Sequence, residues 1–155
     1  MPLVATYKEF LFTHAEYETL KVIRFPPESN GKQINFTLIL NGVDYKHSLY
    51  LCPHKATGNN MSELGYGDID MPRRFQDKGI SYVYHYVGAI TALQSNIAFF
   101  AVDNVISPVL SHALTNIGMQ CWFMSGSYFG NPALVAPLAK ENFIRKGWAL
   151  TEDSS

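Results

Sequence analysis

Residues 73–87 read RRFQDKGISYVYHYV. A basic turn containing Gly79 runs directly into a tyrosine-rich segment with helical spacing. A helix beginning here leaves its first backbone N–H groups without partners, and its dipole adds roughly half a positive charge at the same end. Such an end binds an anion when the backbone can approach the ligand with no Cβ in the way. Gly79 supplies that freedom, Ser81 is small, and Arg73, Arg74 and Lys78 surround the turn with positive charge. The same residues also describe a plain helix entrance with solvated cations, so the flanking elements have to decide between the two.

Upstream, MSELGYGDIDM at 61–71 reads as a strand, weakened by Gly65 and Gly67 and ended by Pro72. Val83, Val87, Ile90 and Gln94 recur at spacings of three and four, which predicts a helix over 80–93. NIAFFAV at 96–102 is a short apolar run and reads as a buried strand. Together these three elements predict a βαβ unit at 61–102, with parallel strands and a right-handed crossover. Ser107-Pro108 opens a further helix, with Ser as N-cap and Pro at the first helical position. Val109, Leu110, Ala113, Leu114 and Ile117 give that helix an apolar stripe, and Gly118 is placed to stop it. QCWFMSGSY at 120–128 reads as a strand. The last 25 residues read as a helix interrupted at Pro137, a strand near Trp148 and a loose polar tail, TEDSS.

Toward the N-terminus the pattern predicts a strand over 3–11. Thr13 and Glu16 have capping-box spacing, which predicts a helix over 14–23. A loop follows at 25–32. INFTLILNGVDYKHSLYL at 34–51 is a hairpin around Asn41-Gly42. A polar loop then runs from Cys52-Pro53 to Asn60. The fold class is therefore α/β: a mixed, mostly antiparallel central sheet flanked by helices, forming one domain over 1–150 with a flexible tail at 151–155.

The 155 residues suffice for one domain with a real core, and 47% apolar against 16% charged residues is a folded composition. A net charge of −1 gives no sign of a nucleic-acid partner or an anionic membrane. The two cysteines, Cys52 and Cys121, cannot build a disulfide framework, and the N-terminal stretch lacks the pattern of a secretory leader. The most apolar region, 87–102, is too short and too broken by Gln94, Ser95 and Asn96 to span a bilayer. The expectation is a cytoplasmic protein.

In context the opening stretch resembles the pyrophosphate loop of the GNAT superfamily of N-acetyltransferases, Gln/Arg-x-x-Gly-x-Gly/Ala. Here the residues are Gln76-Asp77-Lys78-Gly79-Ile80-Ser81. A second match is AVDNVISPVLSHALTNIGM at 101–119, where Asn104 follows a strand, Ser107 takes a small-residue position and Gly118-Met119 closes the pattern. The resemblance covers about residues 61–125, and the hairpin at 34–51 agrees in order. It implies acetyl-CoA as co-substrate, and direct attack of an amine on the thioester. The backbone near Ile69 and Met71 would pair with the pantetheine arm. Gln76, Lys78, Gly79, Ile80 and Ser81 would hold the pyrophosphate, and Asn104 would complete the cofactor site. Glu63 and Asp68, ahead of Asp70, are the carboxylates that could serve as base. The family's helix tyrosine, which protonates the departing thiolate, is missing. Counted forward, its place falls near Ser111; counted back, near Leu114. Ser111, His112 or Tyr128 could substitute.

Other patterns carry less. Cys52-Pro53-His54 could suggest a metal, but a structural zinc site wants four ligands at motif spacing. Cys121, in an apolar strand, reads as buried and inert. Tyr82, Tyr84 and Tyr86 are either packing or a contact surface. Two functions stay open: an acetyl-CoA-dependent N-acyltransferase acting on an amine-bearing small molecule or protein, or a non-catalytic protein of the same fold that binds or inhibits another protein through its aromatic surface. Aromatic residues at 14% also make a homodimer plausible.

Overall fold

The structure is a computed structural model that describes residues 3–54, 58–123 and 125–154. Its strands are β1 (Lys8–His14), β2 (Glu18–Arg24), β3 (Gln33–Leu40), β4 (Val43–His54), β5 (Gly58–Tyr66), β6 (Phe99–Val102), β7 (Gln120–Cys121), β8 (Tyr128–Gly130) and β9 (Ala149–Ser154). They form one sheet in the order β7-β8-β6-β5-β4-β3-β2-β1-β9. Among the described residues three α-helices join it: α1 (Ile80–Gln94), α2 (Pro108–Asn116) and α3 (Pro132–Arg145). Among the described residues only the β5–β6 pairing is parallel, and α1 makes the crossover between those strands. The expected mixed, mostly antiparallel sheet with a βαβ unit is the observed one.

The core lies on one face of the sheet. Phe10, Phe12, Leu20, Val22, Ile34, Phe36, Leu38, Leu64, Phe100 and Val102 all point there and are fully buried. The helices cover this face: Phe143 of α3 meets Phe12, Tyr84 of α1 meets Phe36, and Asn116 of α2 donates to the Tyr82 hydroxyl of α1. Among the described residues no helix lies on the other face, which carries Asn35, Lys46 and Ser48 along its middle strands.

Several elements depart from their sequence reading. The helix expected over 14–23 is a turn followed by strand β2, which pairs with β1 on one side and β3 on the other. Leu20 and Val22 are buried while Lys21 and Ile23 are half-buried, so a period of two prevails over a short capping signal. The Glu16 N–H that would belong to such a cap goes to the ring of His14 at 3.0 Å. Strand β5 starts at Gly58, while β4 runs on to His54, so most of the loop expected at 52–60 is sheet. β5 also ends at Tyr66 rather than 71, and β6 begins at Phe99 rather than 96. The strand read at 120–128 is two short strands, β7 and β8, paired antiparallel, and Cys121 is exposed rather than buried. Pro137 does not interrupt α3: it is exposed, as is Ala133, so the carbonyl it leaves unbonded faces water. The stretch read as a loose tail supplies β9, which pairs with β1 from Thr13↔Ala149 to Glu9↔Ser154.

Candidate active site

Strands β5 and β6 pair from Glu63↔Phe99 to Tyr66↔Val102, and the Asp103 N–H adds one last bond to the Tyr66 carbonyl at 2.9 Å. Beyond it the chains part: β5 gives way to Gly67, and Asn104 takes a left-handed conformation with φ 56°. Gly65 makes the close approach before the fork possible. A Cβ built there would lie 2.1 Å from the Ala101 carbonyl oxygen, which no side chain tolerates. The fork opens onto a cleft of about 400 Å³ between Ile69, Met71, Gln76, Ile80, Ser81 and Leu110. A smaller recess of about 190 Å³ continues it past Asp68, Asn104 and Ser107.

The N-terminus of α1 opens into this cleft. Gly79 is its N-cap, no side chain caps it, and the first backbone bond is Tyr82 N–H to the Gly79 carbonyl at 3.2 Å. Among the described residues the N–H groups of Ile80 and Ser81 have no partner. The reason for glycine differs from the expected one. Gly79 has φ 77°, and a Cβ there would meet the Cβ and Cγ of Lys146 at 2.8 Å. The missing side chain makes room for Lys146, and the amides are bared by the absence of a cap.

The cationic surround is also smaller than expected. Lys78 does not line the cleft; its ammonium sits 5.0 Å from the centre of the Tyr17 ring, and its carbonyl accepts from the Trp148 indole at 2.7 Å. Arg73 and Arg74 are exposed in the short 3₁₀ turn that precedes the loop. Gln76 donates to the Met71 carbonyl at 3.0 Å and so closes the loop on itself.

Two side chains of β4 hold the segment after β5 in place. The His47 Nε2–H donates to the Asp68 carbonyl at 2.7 Å, and the Tyr45 hydroxyl accepts the Asp70 N–H at 3.0 Å. His47 Nδ1 in turn accepts the Tyr84 hydroxyl at 2.5 Å. Burial lowers the pKa of His47, the direction that keeps the ring neutral and able to accept at one nitrogen while donating at the other. The Asp68 carboxylate itself is exposed at the recess. Tyr82, Tyr84 and Tyr86 are all buried, so the tyrosine-rich surface considered for partner binding is core packing.

Of the remaining expected residues, Ser111 and Tyr128 are brought together: their hydroxyl oxygens are 2.5 Å apart. His112 is exposed on α2. Glu63 is not a solvated strand-end acid. Only 5% of it is exposed, and its Oε1 lies 3.1 Å from His54 Nδ1. In the sequence His54 stands out only through the Cys52-Pro53-His54 pattern, which points to a metal and gives no sign of this pairing. His54 lies two residues beyond Cys52, the cross-strand partner of Glu63, so strand alternation puts the two on one face once the β4–β5 register is known.

No family model matches the chain, and no curated protein matches it in sequence. Among solved structures it is similar to that of AtaTR bound with AcCoA, with a TM-score of 0.51 and 13% identity over 70% of this chain and 73% of that one. It is equally similar to the KacTA–DNA complex, with a TM-score of 0.51 and 12% identity over 71% and 74% of the two chains. The fold is GNAT-like. At this identity the likeness establishes the overall fold and nothing finer. The GNAT-like frame here departs from the expectation at its N-terminal end, where strand β2 stands in place of a helix before the hairpin.

Proposed function

We propose that the protein transfers an acetyl group from acetyl-CoA to an amine. The observation that carries the reading is the uncapped N-terminus of α1, whose bare Ile80 and Ser81 amides open into a cleft at the fork of β5 and β6. Unpartnered amides at a helix start favour a phosphate there. The AtaTR structure is a complex with AcCoA, which supports the same ligand for this cleft.

In this reading the diphosphate lies against the amides of Gly79, Ile80 and Ser81, with Gln76 fixing the loop beneath it. The pantetheine arm runs along the Ile69–Met71 backbone, held outward by His47 and Tyr45. Asn104 and Asp68 border the recess where the thioester would lie. The amine attacks the carbonyl carbon, the C–S bond breaks, and the thiolate takes a proton from the Ser111–Tyr128 pair. Rate comes largely from holding the reactants in line. Ile106 and Val109, flanking the cleft wall, are 95% and 76% exposed. Large apolar side chains bared beside a site favour a protein-borne amine as the acceptor.

Thermal unfolding with acetyl-CoA tests the reading. Ligand at about a hundred times its dissociation constant stabilises by roughly 2.7 kcal/mol, a readable rise in Tm. No rise at millimolar acetyl-CoA would end it.

A further inference from the structure

The geometry points to His54 as the general base for the amine, with Glu63 as its positioning residue; this deepens the acetyl-transfer reading and rests on it. The face of the sheet opposite the helices holds a small aromatic box. His54 stacks on Phe99 with centroids 3.9 Å apart and meets the Phe129 ring at 4.9 Å. It is 2% exposed. Its Nδ1 faces Glu63 Oε1 at 3.1 Å. A carboxylate only accepts, so Nδ1 carries the proton, and in the neutral ring Nε2 is a bare lone pair. That nitrogen is buried and, among the described residues, has no hydrogen-bond partner. A buried polar atom left unpaired costs about 1–3 kcal/mol and calls for an explanation.

The surroundings supply one. His54 and Glu63 border a cavity of about 10 Å³ that Asp103, Trp122 and Tyr128 also line. That volume is about enough for one water. Tyr128 is the residue whose hydroxyl meets Ser111 on α2. The proton donor for sulfur and a base for nitrogen thus share one wall, on opposite sides of the fork: the cleft opens among Ile80, Ser81 and Leu110 on the helix side, while His54 lies on the uncovered side. Glu63 stands two residues before Gly65, where β5 comes closest to β6. In this proposal an amine that approaches the thioester from the uncovered face passes its proton to His54 through one water of the size the small cavity admits.

The step balances. An acceptor ammonium gives one proton through the water to Nε2, and the freed nitrogen lone pair forms the bond to the carbonyl carbon. The tetrahedral adduct collapses, and the C–S bonding pair goes to sulfur. Tyr128 protonates the thiolate and is restored by the second proton that the nitrogen loses. The imidazolium returns its proton to solvent. Among the described residues, the titratable ones that line the cavity with His54 are Glu63 on β5, Asp103 after β6 and Tyr128 on β8, whose hydroxyl is bonded to Ser111 on the helix side.

The test compares wild type with His54→Gln, whose amide can still donate to Glu63. CoA release from acetyl-CoA is followed with n-propylamine, an ammonium at neutral pH, and with hydroxylamine, which is already neutral there and needs no base. Losing a general base costs about 100-fold or more, so the variant should fall by that much with propylamine and by less than about threefold with hydroxylamine. Its Tm rise with acetyl-CoA should match the wild type's. In long-range ¹H–¹⁵N spectra the wild-type His54 ring should carry its proton on Nδ1. Rates that fall together for both amines, rates that do not fall, or a proton on Nε2 would each overturn the assignment of His54 alone. A wild type without any Tm rise would overturn the acetyl-transfer reading itself.

Discussion

The Ser111 and Tyr128 hydroxyls are 2.5 Å apart and bridge helix α2 to strand β8. In the sequence they are alternative replacements for one missing tyrosine; in the structure they form a unit. In the proposed transfer, whichever oxygen gives its proton to the thiolate, the other would stabilise the charge left behind, as a lone hydroxyl cannot. Tyr128→Phe is therefore expected to slow CoA release by about 10²-fold, the low end for losing a proton donor. Ser111→Ala should slow it less, and the double variant should fall short of the sum, because the two act together. Acetyl-CoA should raise the Tm of all three proteins equally. A double variant whose losses add in full would show that the pair is not coupled.

Gly79 answers to backbone conformation and to Lys146, so its replacement is a stability experiment before it is a binding one. At φ 77° an alanine loses about 1–2 kcal/mol from the left-handed conformation alone. Contact with the Lys146 stem at 2.8 Å adds to that. Urea unfolding should show Gly79→Ala destabilised by about 1–2 kcal/mol or more, and Lys146→Ala in the same chain, which removes the Cγ contact but keeps the Cβ contact, should restore only a fraction of it. Full recovery would mean that the backbone conformation relaxes freely.

Local signals were the legible ones. Asn41-Gly42 turns with φ 49° and 84°, as a tight hairpin requires. The Ser107 side chain caps α2, accepting the Leu110 N–H as its Ser-Pro spacing suggests. The period change at Ile80 marks α1, and the alternation of strand, helix and strand gave the parallel pair. What was hidden depends on distant partners. β2 is a strand because β1 and β3 lie on both sides of it, against a capping signal confined to four residues. Lys78 turns away from the cleft because Tyr17 and Trp148 hold it from the far end of the sheet. His54 meets Glu63 only through the register of β4 on β5, and it is packed by Phe99 and Phe129, which come from later strands.

His85 gives the fold a pH dependence of definite sign. It lies wholly inside α1, bonded through Nε2 to the Tyr66 hydroxyl at 2.7 Å. Burial, with a smaller contribution from nearby His47, pulls its pKa from 6.5 down to about 3. The unfolded chain therefore takes up a proton that the folded chain refuses. Stability is full above pH 6.5 and falls as the pH drops toward about 3. His85→Gln removes this proton uptake. The stability difference between wild type and variant should shift by about 2 kcal/mol in the variant's favour between pH 7 and pH 5. Urea unfolding at the two pH values measures it, and an unchanged difference would show that the ring is charged in the native state.

Gly65 sets the geometry of the fork, because it lets β5 come within bonding distance of β6 just before the two strands part. The atom that a Cβ would strike, at 2.1 Å, is the backbone oxygen of Ala101, and no rotamer can move it. Gly65→Ala must either push the strands apart or unfold their ends. Both outcomes act on the cleft wall, since Tyr66 and the Asp103 N–H that bonds to it follow at once. The expected cost is about 3 kcal/mol or more, at the upper end for a single substitution, together with loss of the Tm rise with acetyl-CoA. Ala101→Gly leaves that carbonyl where it is and should not rescue the variant. Amide hydrogen exchange across Leu64–Val102 would locate the damage: the loss of protection should begin at the fork and spread toward Glu63, and a uniform loss over the sheet would show that Gly65 matters to the fold as a whole and has no special bearing on the cleft.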